Sequence, residues 1–123
     1  MRTPSLLIVL AALMVSGCGG PQMAPVKGRV TFDGQPVKEA QITFSPMGVD
    51  GQKETGKPGT GFTDDEGNFD LSTFKNYDGA LVGTHNVLVV LDDTNPAKCK
   101  RTKNVTLEVK PGSNSFSIEM DPK

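Results

Sequence analysis

Apolar residues recur at every second position through most of this chain, and nowhere with the three-and-four spacing of a helix. Val26, Gly28, Val30 and Phe32 share one parity, with Lys27, Arg29 and Thr31 on the other. Such alternation is the mark of a half-buried strand. The same pattern recurs over residues 37–45, where Ala40, Ile42 and Phe44 point inward. It recurs over 59–63 around Phe62, and over 68–72 with Phe69 and Leu71 inward. Residues 85–91 are apolar on both parities, with Val87, Val89 and Leu91 on one face and Leu88 and Val90 on the other. That strand is expected at the centre of its sheet, or covered on its outer side. Residues 104–109 place Val105, Leu107 and Val109 inward, and residues 114–120 do the same with Phe116, Ile118 and Met120. Seven short strands and no helix predict an all-β, seven-stranded sandwich.

The connections carry matching turn chemistry. Asp33-Gly34 suits a type I′ hairpin, in which both central residues take positive φ. Asp64-Asp65-Glu66-Gly67 fits a four-residue hairpin with glycine in the left-handed position. Pro111-Gly112 supplies the residues a type II turn requires. Residues 46–58 form a long polar loop with glycines at 48, 51 and 56, and residues 92–103 form a charged one.

The amino terminus departs from this pattern. Residues 6–15 are ten consecutive apolar residues behind Arg2. That run is too short to span a membrane but matches the apolar core of a secretory signal. It ends in Val15-Ser16-Gly17-Cys18, which resembles the lipobox of bacterial lipoproteins. The resemblance implies a signal peptide over residues 1–17, cleavage before Cys18, and a diacylglycerol thioether and an N-acyl group on Cys18. Several acyl chains make a stable membrane anchor where one does not. Residue 19 is glycine and not aspartate, which favours outer-membrane over inner-membrane delivery. Residues 18–25, with two prolines and no periodicity, are expected to be a tether, and residues 26–121 the domain.

Removal of residues 1–17 leaves 106 residues, enough for one core. It takes away Arg2 alone among the charges, so the formal net of −1 becomes −2. That balance argues against a nucleic-acid partner. With Cys18 lipidated, Cys99 has no intrachain partner and is expected as a free thiol in a polar loop, or in an intermolecular bond.

Three stretches resemble the carboxypeptidase regulatory-like domains, which share a transthyretin-like (prealbumin-like) Greek-key sandwich. They are Gly28-Arg29-Val30 followed by Gly34-Gln35-Pro36-Val37 through Phe44, then Thr63-Asp64-Asp65-Glu66-Gly67-Asn68-Phe69-Asp70-Leu71, then Gly83-Thr84-His85-Asn86-Val87. His85 stands where that family usually has tyrosine. The resemblance covers residues 26–91, and its motifs are turns and core positions. It implies a non-catalytic accessory or binding module.

Candidate chemistry is sparse. Asp64, Asp65, Glu66 and Asp70 are the nearest approach to a metal site. An EF-hand count from Asp64 fails, since its sixth position is Phe69 and its twelfth Lys75. Asp64 serves more simply as a turn residue, and no metal or cofactor is expected beyond the lipid. His85, the one histidine, lacks the partners of a triad or a zinc site. The basic run Lys98, Lys100, Arg101 and Lys103 is expected as a solvated loop, or as a contact for an acidic glycan or lipid headgroup. Phe74 and Tyr77 are candidates for a sugar platform, or plugs for the end of the sandwich. Together these features predict a lipid-anchored, non-enzymatic interaction or structural module of the bacterial cell envelope, held to the membrane and meeting an envelope protein or glycan. The alternative is a cell-surface domain that binds glycans or other polymers.

Overall fold

A computed structural model of the chain describes residues 22–47 and 56–123. The signal peptide and the lipobox residues Val15, Ser16, Gly17 and Cys18 lie outside them, as does the middle of the 46–58 loop. The described residues are all-β, with ten strands where the alternation predicts seven. The seven are present as β2 (Val26–Phe32), β4 (Gln41–Pro46), β5 (Gly59–Phe62), β6 (Asn68–Asp70), β8 (Gly83–Val90), β9 (Thr102–Val109) and β10 (Asn114–Glu119). The additions, β1 (Met23–Ala24), β3 (Gln35–Pro36) and β7 (Ala80–Leu81), have two residues each. Two residues are too few to show a period, which is why the pattern misses them.

Two four-stranded sheets form the body. In the first, β2 lies between a parallel β10 and an antiparallel β6, with β3 continuing its hairpin. The second has the order β5-β4-β8-β9, antiparallel throughout. The doubly apolar β8 therefore has a strand on each side, as its composition requires. Val26, Val30, Phe69 and Ile118 from the first sheet join Ile42, Phe44, Val87, Val89 and Val109 from the second in one buried cluster. Phe44 ties the sheets together. Its ring centroid lies 6.5 Å from that of Phe69, 5.8 Å from Phe116 and 5.6 Å from His85, all tilted, the spacing aromatic pairs favour. Phe116, Val105 and Leu107 are only half-buried, because β10 and β9 are sheet edges.

The turns take the expected geometry. Asp33 and Gly34 have φ of 53° and 79°, and Gly67 and Gly112 have 81° and 93°. The second predicted strand, however, starts at Gln41 and not at Val37. Glu39 takes φ 60° and breaks the extended run. Buried Thr63 holds the break: its Oγ1 accepts the Ala40 N–H at 2.8 Å, and its carbonyl accepts the Glu39 N–H.

Three expectations are revised. The last residues of the expected tether belong to the domain, because β1 pairs with β7 and Ala24 is fully buried. Among the described residues Cys99 has no disulfide partner, and it is buried in the core rather than solvated in a polar loop. Its segment is drawn in by a bridge to Pro122 and by the Lys100 N–H donating to the Asp121 carbonyl. The basic run is also not one solvated patch. Arg101 turns back and donates to the carbonyls of Asp92, Asn95, Ala97 and Cys99, and Lys103 pairs with Asp121 at 2.9 Å. Only Lys98 and Lys100 stay exposed.

Candidate binding groove

The outer face of the first sheet is polar because alternation puts every apolar residue of β2, β6 and β10 inward. What remains outside is Lys27 and Arg29 from β2, Asn68 and Asp70 from β6, and Ser115 and Ser117 from β10. These side chains line a groove of about 890 Å³. Aromatic rings flank it. Phe62, on the outward parity of β5, is 65% exposed, and Tyr77 is 70% exposed. A second hollow of about 480 Å³ carries Lys57, Phe74 and Lys75. Thr60, Ser72 and Asn76 line both, so the two are continuous around β5.

Residues 72–79 hold Phe74 and Tyr77 outward rather than over the end of the sandwich. Asp78 organises this loop. Its carboxylate accepts the N–H groups of Thr73 at 2.7 Å and of Phe74 and Lys75 at 3.0 Å. Desolvation pushes the Asp78 carboxyl up, but these N–H donors outweigh it and hold the group below its ordinary value. Ser72 Oγ accepts the Tyr77 N–H at 2.8 Å, Thr73 Oγ1 donates to the Gly79 carbonyl at 2.7 Å, and the Gly79 N–H donates to Leu71. Within this frame Tyr77 takes φ 60°, a left-handed conformation that costs a non-glycine residue about 1–2 kcal/mol. Phe74 is 56% exposed, with the Lys57 ammonium 5.4 Å from its ring centroid.

The other candidates separate. Asp64 Oδ1 accepts the N–H groups of Glu66 and Asn68, both at 2.9 Å, so this carboxylate is engaged in its own turn. Asp65 and Glu66 are exposed on the same tip, and Asp70 lies on β6. Among the described residues no group of three or more His, Cys, Asp or Glu is placed to hold a metal ion. His85 is 1% exposed, its Nε2 2.6 Å from the Leu81 carbonyl oxygen. A carbonyl oxygen only accepts, so Nε2–H donates, and among the described residues the buried Nδ1, near the Phe44 ring, has no hydrogen-bond partner. The basic run 98–103 lines neither hollow.

Phe62 is the groove residue that alternation over 59–63 does not single out. Its signal was its parity with Thr60: on a half-buried strand, a residue in step with exposed threonine faces water. No protein-family model matches this chain, and no curated protein matches it by sequence. By structure it is similar to a DUF3823 family protein from Parabacteroides merdae, with a TM-score of 0.54 and 18% identity over 84% of this chain. The match spans 48% of that protein's chain, and at this identity the likeness concerns the fold. The described residues of this chain form a β-rich, sandwich-like domain shared with that protein.

Proposed function

We propose that this chain is a non-catalytic binding module that lays a glycan, or another hydroxyl-rich polymer, along the outer face of β10–β2–β6. The observation that carries this reading is the pairing of that polar face with two solvent-exposed rings, Phe62 and Tyr77. A sugar has apolar C–H faces and a polar rim. Rings that stay wet can take the faces, while amide, hydroxyl and carboxylate groups take the rim. Tyr77 holds its place at a backbone cost, and strain of this kind gathers at ligand-binding segments.

The Val15-Ser16-Gly17-Cys18 motif supports placing this module at the cell envelope, on a lipid carried by Cys18. The motifs over 28–91 support a carboxypeptidase regulatory-like, transthyretin-like sandwich. With β1 starting at Met23, Cys18 lies five residues away, a reach of at most about 17 Å. The groove would then work close to the membrane.

A glycan array probed with the purified chain tests the binding reading, with Phe62→Ala and Tyr77→Ala as controls. Binding that either substitution weakens at unchanged melting temperature supports it. Absence of binding to every sugar at millimolar affinity overturns it. Metabolic labelling with radioactive palmitate tests the anchor, and label retained by Cys18→Ala would refute it.

A further inference from the structure

The two hollows differ in charge, and that difference narrows the ligand. The groove mixes signs: Lys27 and Arg29 stand with Asp64 and Asp70. The smaller hollow does not. Lys57 and Lys75 line it together with the hydroxyls of Thr43, Thr60 and Ser72, and among the described residues no carboxylate does. The described residues contain one ion pair, Lys103–Asp121, and it lies elsewhere. This surface thus gathers positive charge on a chain whose formal net is −1. The Lys57 ammonium stands over one face of Phe74, 5.4 Å from its centroid, so an anionic group drawn to it arrives beside that ring. A neutral sugar offers these two ammonium groups only hydroxyl and ether oxygens. A pyranose carrying a carboxylate or sulfate gives them a charge-assisted partner.

We propose that the ligand is an acidic polysaccharide. Its sugar faces stack on Phe62, Tyr77 and Phe74, and its acid groups lie between Lys57 and Lys75. This proposal rests on the glycan-binding reading above and adds the class of glycan. Asn68, Ser115 and Ser117 offer the groove's amide and hydroxyl groups to a polyol, and its mixed charge gives an acid group little net attraction, which places the acid groups at the smaller hollow.

The test is affinity electrophoresis and titration calorimetry of the purified full chain against polygalacturonate, dextran sulfate, dextran and oligodeoxythymidylate. The expected result is binding to polygalacturonate, dextran sulfate or both, about tenfold tighter than to dextran, and weakened about tenfold at roughly 1 M salt. Which acid polymer binds tells carboxylate from sulfate. The double substitution Lys57→Ala/Lys75→Ala should lose about tenfold, while Lys98→Ala/Lys100→Ala, outside both hollows, should bind as wild type. Dextran bound as tightly as the acidic polymers would overturn this proposal and leave the glycan reading standing. No binding to any polysaccharide would overturn both. Oligodeoxythymidylate bound as tightly as the acidic polymers, or equal losses from the two lysine pairs, would reduce the effect to unspecific charge and overturn the proposal.

Discussion

On the inner face of the sheet that carries the groove, Gly28 on β2 packs closely against the ring of Phe69 on β6, and a double-mutant cycle tests that contact. Phe69 is 4% exposed and packs against Phe44. Truncation to alanine removes a buried ring and leaves a cavity, at a cost of about 3–5 kcal/mol. Gly28 is the reason the ring fits. A Cβ there would come within 2.5 Å of Phe69 Cε2 and 2.6 Å of the Phe116 carbonyl oxygen. The backbone has no room to retreat, since β2 is paired with β10 over six register positions and with β6 over three. Gly28→Ala should therefore cost about 1–3 kcal/mol by overpacking. In the Phe69→Ala background the ring is gone and only the carbonyl remains, so the same glycine substitution should cost less by about 1 kcal/mol or more. Urea and thermal unfolding of the four proteins measures this. For a domain of about 100 residues, each kcal/mol moves the melting temperature by about 4–8 °C. Phe69→Ala should drop it by about 12–40 °C, and Phe69→Leu gives a milder background for the same cycle. Strict additivity, or a Phe69→Ala shift under about 5 °C, would refute the packing described.

Four further outcomes follow from the loops. Asp78 has a folded-state pKa below its ordinary value of 3.8, so its contribution is fully present above that value and is lost as the pH falls through the folded one. Chemical denaturation should find Asp78→Asn less stable by about 0.5–1 kcal/mol near neutrality, given the group's solvent exposure, with the gap closing in acid. Gly79→Ala should cost more than about 3 kcal/mol in the same assay, since φ is +88° and the new methyl would fall on the Ala24 carbonyl oxygen. Arg101→Ala should lose about 2 kcal/mol by leaving the carbonyls of residues 92–99 short of a donor. Arg101→Lys should recover little, because an ammonium cannot span them. Tyr77→Gly should leave the melting temperature unchanged or slightly raised while abolishing polymer binding, read by calorimetry and affinity electrophoresis on one preparation.

The strands were legible because they rest on local facts. A period of two in Val26, Val30 and Phe32, or in Val87, Val89 and Leu91, needs no knowledge of the partner strand, and Asp33-Gly34 announces its own φ signs. What was not legible depends on distant residues. Met23 and Ala24 become a strand only because Ala80 and Leu81 arrive beside them. Arg101 reads as one more cation in a basic run until the loop ahead of it presents four carbonyls. Cys99 sits among polar neighbours in sequence and among apolar ones in space. The groove is the extreme case. It exists because β10 runs parallel to β2, which sets Ser115 and Ser117 beside Lys27 and Arg29 across some ninety residues of chain. No local pattern encodes that neighbour.

The rings beside the groove are surplus to the fold, and this sets them apart from every other large aromatic in the domain. Phe44, Phe69 and Phe116 form the contact between the sheets. Phe62, Phe74 and Tyr77 touch mostly water, which favours burying such surface and gives no return for leaving it out. At Tyr77 the case is stronger. The loop needs a positive φ there, and it is held by the Tyr77 N–H, by Asp78 and by Thr73, none of which involves the phenol. Glycine would meet that need without the steric cost of a Cβ. What tyrosine adds in this place is its ring, which lines the groove. The proposed ligand would give the Tyr77 ring the contact that the hydrogen bonds of residues 72–79 do not.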